Sequence, residues 1–133
     1  MTRLSLVIVA VTVLGATSAR AQGEIKGNPQ QGEQTFVICR ACHQIGPGAQ
    51  NAVGPVLNGV VGRKAGTYPG YEYSSANKNS GIVWTPQELN TYLTDPQKVV
   101  PGTKMIFPGL KSPEQRANVI AFLEQYGPNG QKK

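Results

Sequence analysis

The sequence predicts a mostly α, single-domain protein whose short helices are joined by long loops. Proline-led helix starts recur at Pro29, Pro86 and Pro113, each behind a residue that caps helices well. Sixteen glycines and ten prolines among 133 residues require much of the chain to turn. No alternating apolar and polar run is long enough for a sheet.

The first 21 residues are expected to be absent from that domain. Arg3 precedes an apolar run from Leu4 to Leu14, and Ala19-Arg20-Ala21 gives an A-x-A cleavage pattern. The run is well short of the roughly 20 apolar residues a bilayer requires, so it reads as an export signal cut after Ala21 and not as an anchor. Residues 22–133 then form one exported domain, with no repeat, low-complexity tract or linker.

The first helix should have Asn28 as its cap and Pro29 as its first residue, then run through "QQGEQTFVIC" with Gly32 and Phe36 on one face. The second opens at Thr85-Pro86-Gln87-Glu88, read as a capping box, and places Leu89, Tyr92 and Leu93 together before stopping near Asp95. The third repeats the device at Ser112-Pro113-Glu114. It carries Val119, Ile120, Leu123 and Tyr126 at helical spacing and ends at Gly127-Pro128. Ile82-Val83-Trp84 reads as a short extended piece. Three short helices leave a thin core, with room in the middle for something other than side chains.

Charge excludes little but points somewhere. Thirteen basic residues face seven acidic ones, a formal +6 that becomes +4 when Arg3 and Arg20 leave with the signal. The surplus is spread over Lys26, Arg40, Arg63, Lys64, Lys78, Lys98, Lys104 and Lys111 and forms no basic cluster of the kind nucleic acid demands. It suits either ordinary solubility or steering toward an acidic protein partner.

The chemistry concentrates in "CRACH". Cys39, Cys42 and His43 comprise every cysteine and the only histidine of the chain. This C-x-x-C-H pattern, at the end of the first helix, suits two thioether bonds to the vinyl groups of a haem, with the histidine as its proximal ligand. Two other readings compete. A disulfide oxidoreductase site normally opens a helix beside a βαβ pattern, which is not visible here. A closed zinc site needs a fourth Cys or His that the chain lacks. A single histidine also forbids a bis-histidine haem within one chain. Met105, in the glycine- and proline-flanked loop "VPGTKMIFPG", is the only methionine left after export, and its soft neutral sulfur would raise a haem reduction potential. Iron held on both sides has no open position for substrate, which argues for electron transfer over catalysis. A haem enzyme or gas sensor is the reading that an open position would favour.

Beyond single motifs, "CRACH", "VGPVLNGVVGRKAG", "YSSANKNSGIVW" and "YLTDPQKVVPGTKMIF" occur in that order. Together they resemble class I cytochrome c, and within it the bacterial periplasmic cytochromes c2 of the compact kind, over nearly all of residues 22–133. The resemblance implies a class I cytochrome c fold wrapped around one haem c bound through Cys39 and Cys42, with His43 and Met105 as axial ligands. It implies that the Pro55 carbonyl accepts from His43, that Arg63, Tyr73 and Trp84 surround a haem propionate, and that Asn77, Tyr92 and Thr103 form a polar network behind Met105. Phe107 would cover the haem edge, and Gly32 and Phe36 would cross the last helix near Ile120 and Leu123. Lys64, Lys98, Lys104, Lys111 and Arg40 would ring the docking face. The implied role is a monomeric periplasmic one-electron shuttle without nucleic-acid or stable membrane partners. Its donor would be a cytochrome bc1 complex and its acceptor an oxidase, a photosynthetic reaction centre or another periplasmic reductase.

Overall fold

The computed structural model describes residues 23–133. The expected export signal and its cleavage point after Ala21 lie outside the described residues. Five α-helices follow one another: α1 (Pro29–Phe36), α2 (Ser75–Lys78), α3 (Pro86–Thr94), α4 (Pro96–Val99) and α5 (Pro113–Glu124). Loops fill the rest, and among the described residues there is no strand longer than an isolated bridge. None of these helices is long and apolar enough to cross a membrane.

The caps explain where the helices begin. Asn28 accepts from the backbone of Gln30 and Gln31, Thr85 from Glu88, and Ser112 from Gln115, so each satisfies amides that the first turn leaves free. The box at Thr85 is half-formed, because the Thr85 amide donates to the Val83 carbonyl at 2.7 Å. Helix α1 ends at Phe36 and not at Cys39. Val37 and Ile38 donate to carbonyls three residues back, tightening the chain toward a 3₁₀ turn at Cys39–Ala41. Helix α5 likewise ends at Glu124, before Tyr126. Helices α2 and α4 were not expected. Asp95, read as a stop, both closes α3 and caps α4 by accepting from Lys98.

The core forms where α1 crosses α5. Gly32 permits the approach, since a Cβ there would collide with the Asn118 carbonyl and lie 2.8 Å from Phe122 Cβ. The Phe36 and Phe122 rings pack at 5.1 Å between centroids, and Phe122 reaches Tyr126 at 5.4 Å. Gly32 thus meets α5 at Asn118 and Phe122, and Ile120 and Leu123, expected near the crossing, are buried in the same core cluster as Phe36. Asn118 also accepts from the Asn28 amide at 2.7 Å and donates to Gln31 at 3.1 Å, tying the start of α1 to the same place. Each large buried side chain here contributes about 1.5–3 kcal/mol relative to exposure.

Two further ties position the site. Buried Arg116 on α5 donates to Asn90 of α3 and to the Leu110 and Lys111 carbonyls, fixing where the chain leaves the loop that carries Met105. The Ile82–Trp84 segment is extended, with Val83 bridged to Lys64 and hydrogen bonds from Ala65 to Ile82 and from Trp84 to Arg63.

Candidate functional site

The 3₁₀ turn sets the geometry of the cysteine motif. The amides of Cys42 and His43 both donate to the Cys39 carbonyl, at 3.1 and 2.9 Å, which folds the five residues into one knuckle. Burial, and then the neighbouring Cys42, pushes the Cys39 thiol up to about 11. It therefore stays protonated at neutral pH, the opposite of what a thiol redox site requires.

His43 is held by its outer nitrogen. Nδ1 lies 2.7 Å from the Pro55 carbonyl oxygen. A carbonyl only accepts, so Nδ1 carries the proton and Nε2 keeps its lone pair. Burial lowers the imidazole pKa, partly opposed by the Pro55 bond, so the ring is neutral near pH 7. Gly54 is a steric necessity at this spot, because a Cβ there would run into the ring, 2.7 Å from Nδ1. The Gly54 amide donates to the Cys42 carbonyl at 2.8 Å, and Leu57 donates to Gln44 at 3.0 Å, lacing the segment to the motif. Asn58 adds a buried pair of bonds to Gly46, accepting from its amide and donating to its carbonyl.

Met105 lies in a loop held by side chains. Tyr92 Oη donates toward its sulfur at 3.4 Å and sits 3.3 Å from Thr103 Oγ1, which in turn accepts from the Met105 amide at 3.2 Å. Burial raises the Tyr92 pKa, so the phenol keeps its proton and remains a donor. Asn77, expected in this network, bonds to neither Tyr92 nor Thr103. Its Oδ1 is buried without a partner.

The remaining expected residues divide between an interior corner and the surface. Arg63 donates to the Asn58 and Val56 carbonyls and stacks over Tyr68 at 4.9 Å. Tyr73 accepts from the Tyr68 amide. Burial depresses the Arg63 pKa and raises that of Tyr73. Trp84 is buried against Tyr92, ring centroids 4.7 Å apart. Phe107 is half-buried against the core, whereas its neighbour Ile106 is 95% exposed, an apolar side chain turned fully to solvent. Of the lysines, Lys104 donates to the Glu72 carbonyl, Lys111 to the Thr94 carbonyl, and Lys98 pairs with Asp95 at 3.5 Å. Lys64 is exposed, and Arg40 faces Glu33 at 3.9 Å.

These groups fit a covalently held haem. Two thiols three residues apart adjoin an imidazole whose free nitrogen is Nε2. Leu57, Val61, Ala76, Ile82, Met105 and Phe107 are half-buried apolar side chains on the margin of the core. The orphaned Asn77 Oδ1 is a buried acceptor left without a protein donor. Nothing equivalent suits a structural metal: among the described residues no three His, Cys, Asp or Glu side chains gather into an ion site.

The sequence profile of the family described as cytochrome c matches residues 29–127. The chain belongs to the cytochrome c family. Within the family it is a class I member close to the cytochromes c2. It is 50% identical to cytochrome c2 of Rhodomicrobium vannielii over 92% of this chain and 95% of that one. It is 54% identical to cytochrome c2 of Rhodoblastus acidophilus, over 80% and 99%. Its fold matches the structure of cytochrome cH from Methylobacterium extorquens with a TM-score of 0.70 and 46% identity, covering 74% of this chain and all but 1% of that one. The family carries haem c covalently on two cysteines, and Cys39 and Cys42 are that pair here. It is an electron-transfer protein and not an enzyme.

Several residues that shape this site were missed from sequence. Gly54 had a signal, since a glycine directly before the expected acceptor Pro55 invites the question of close approach. Asn58 and Gln97 had none, because their partners are backbone groups that only the folded trace brings near.

Proposed function

We propose that the protein is a periplasmic one-electron shuttle in which His43 and Met105 hold the haem iron from opposite sides. The observation that carries this reading is the pairing of a His43 ring pinned at Nδ1 by Pro55 with a Met105 sulfur held beside Tyr92 and Thr103. When bound, the haem would supply a one-electron ferric/ferrous couple. The protein keeps both ligands at fixed positions, so that little reorganises when an electron passes. The Pro55 carbonyl fixes the histidine tautomer and raises its basicity, while the thioether favours the reduced state and raises the potential. Arg63, Tyr73 and Trp84 surround a haem propionate, the role that the family resemblance implies for them.

Residues 1–21 act as the export signal and residues 22–133 as the mature domain. Donor and acceptor, by family resemblance a cytochrome bc1 complex and an oxidase, reaction centre or reductase, dock briefly around exposed Ile106 and the lysines 64, 98, 104 and 111. Such redox interfaces are small and weak, under about 1,200 Å². Opposite charge speeds encounter more than it strengthens binding.

Visible spectra of the oxidised and reduced holoprotein test the ligation. A sulfur-to-iron charge-transfer band in the ferric wild type, lost in Met105→Leu together with a fall in reduction potential, is expected. A substituted protein with the wild-type band and potential refutes Met105 as a ligand. Electron-transfer rates with an acidic partner should fall as salt rises, and indifference to ionic strength refutes the steering.

A further inference from the structure

Gln97 is the second residue of α4, a four-residue helix anchored by fully buried Pro96 and capped by Asp95. From there its side-chain Nε2 reaches two carbonyl oxygens, that of Thr103 at 3.2 Å and that of Met105 at 2.9 Å. Both partners only accept, which fixes the amide orientation with its NH₂ toward the loop. The setting makes these bonds unusual. Among the described residues, no backbone-to-backbone hydrogen bond involves any of residues 104–109, between the Thr103 amide that donates to Val100 and the Leu110 amide that donates to Leu93. The backbone at Met105 is instead held by side chains: Thr103 Oγ1 takes its amide, and Gln97 takes its carbonyl and the one two residues earlier.

We infer that Gln97 is a positioning residue, a clamp whose one amide bridges two carbonyls and keeps the Met105 sulfur in place on the iron. The inference rests on the proposed ligation by Met105. Because the clamp acts on the loop and not on the core, removing it changes how often the loop opens while leaving the helices intact. Two hydrogen bonds of ordinary net strength correspond to about a tenfold change in the opening equilibrium, or somewhat more. A carboxylate of the same length offers no donor and faces two carbonyls, so Q97E should open the loop further than Q97A. A lysine there can donate, so Q97K should recover part of the closure.

The test is imidazole binding to the ferric holoproteins at neutral pH, followed by loss of the sulfur-to-iron band, alongside hydrogen exchange of the Met105 amide, which Thr103 Oγ1 protects. The expected result is imidazole affinity raised about tenfold in Q97A, further raised in Q97E, and within about threefold of wild type in Q97K. Exchange of the Met105 amide should rise in the same order while far-UV circular dichroism stays constant. Wild-type affinity and wild-type exchange in Q97A and Q97E overturn the clamp. Failure of the ligation reading is distinguishable, because the band would then be absent from the wild type itself.

Discussion

The two sides of the proposed haem site are built by different means. On the His43 side the backbone is laced to itself: His43 to Cys39, Gly54 to Cys42, Leu57 to Gln44, with the C-terminal Gly130 packed against Gly46 and Asn58. On the Met105 side, residues 104–109 make no bond of that kind, and Gln97, Thr103, Lys104 and Tyr92 side chains do the holding. Proteins open locally in cooperative units, and the segments with few buried contacts and few protected backbone bonds open at the lowest free energy. The imidazole side should therefore be the permanent attachment and the thioether side the one that opens first.

That contrast breaks most sharply at Gly54. Placing a methyl group against the His43 ring in Gly54→Ala has to displace the ring or the chain, at about 1–3 kcal/mol as for other overpacked interiors. Denaturant unfolding of the holoprotein should show this as lost global stability, with the Pro55 bond disrupted. Stability within about 0.5 kcal/mol of wild type would mean that the His43 side is not rigid.

Next in size is Asn58→Ala, which strips the Gly46 amide and carbonyl of their buried partners at about 1–3 kcal/mol. The loss should appear in global unfolding. It should leave Met105 exchange with imidazole unchanged.

Thr103→Val should do the reverse. It removes the acceptor of the Met105 amide and the neighbour of Tyr92 Oη at about 1 kcal/mol, and chiefly raises imidazole affinity. If global unfolding and ligand exchange shift equally in both variants, the two sides form one cooperative unit and the contrast fails.

The smallest effect belongs to the surface. Lys98→Ala removes the pair between exposed Lys98 and part-buried Asp95, so stability should change by under about 0.5 kcal/mol. If Lys98 belongs to the docking face, the electron-transfer rate with an acidic partner falls at low salt, and an unchanged rate removes it from that face.

What the sequence made legible follows the range of the forces involved. The starts of α1, α3 and α5 could be read because a cap and its amides lie within three residues of each other. The cysteine motif was equally local. Helix α4 escaped because Pro96 looked like a terminator when it also serves as a first-turn residue behind Asp95. Helix α1 was drawn too long because the Phe36-to-Cys39 stretch keeps an apolar look, while Val37 and Ile38 in fact face solvent. The proposed axial ligands were reachable by inventory, since the chain has one histidine and, with the proposed export signal set aside, one methionine. Gly54, Asn58 and Gln97 were not, because each answers to a ring or a carbonyl that the fold delivers from elsewhere.

The most direct test of this two-sided grip is a denaturant titration of the ferric holoprotein followed at once by the sulfur-to-iron charge-transfer band and by helical circular dichroism. The band should disappear at lower denaturant than the helical signal. Simultaneous loss of the two signals, or a native protein without the band, would contradict it.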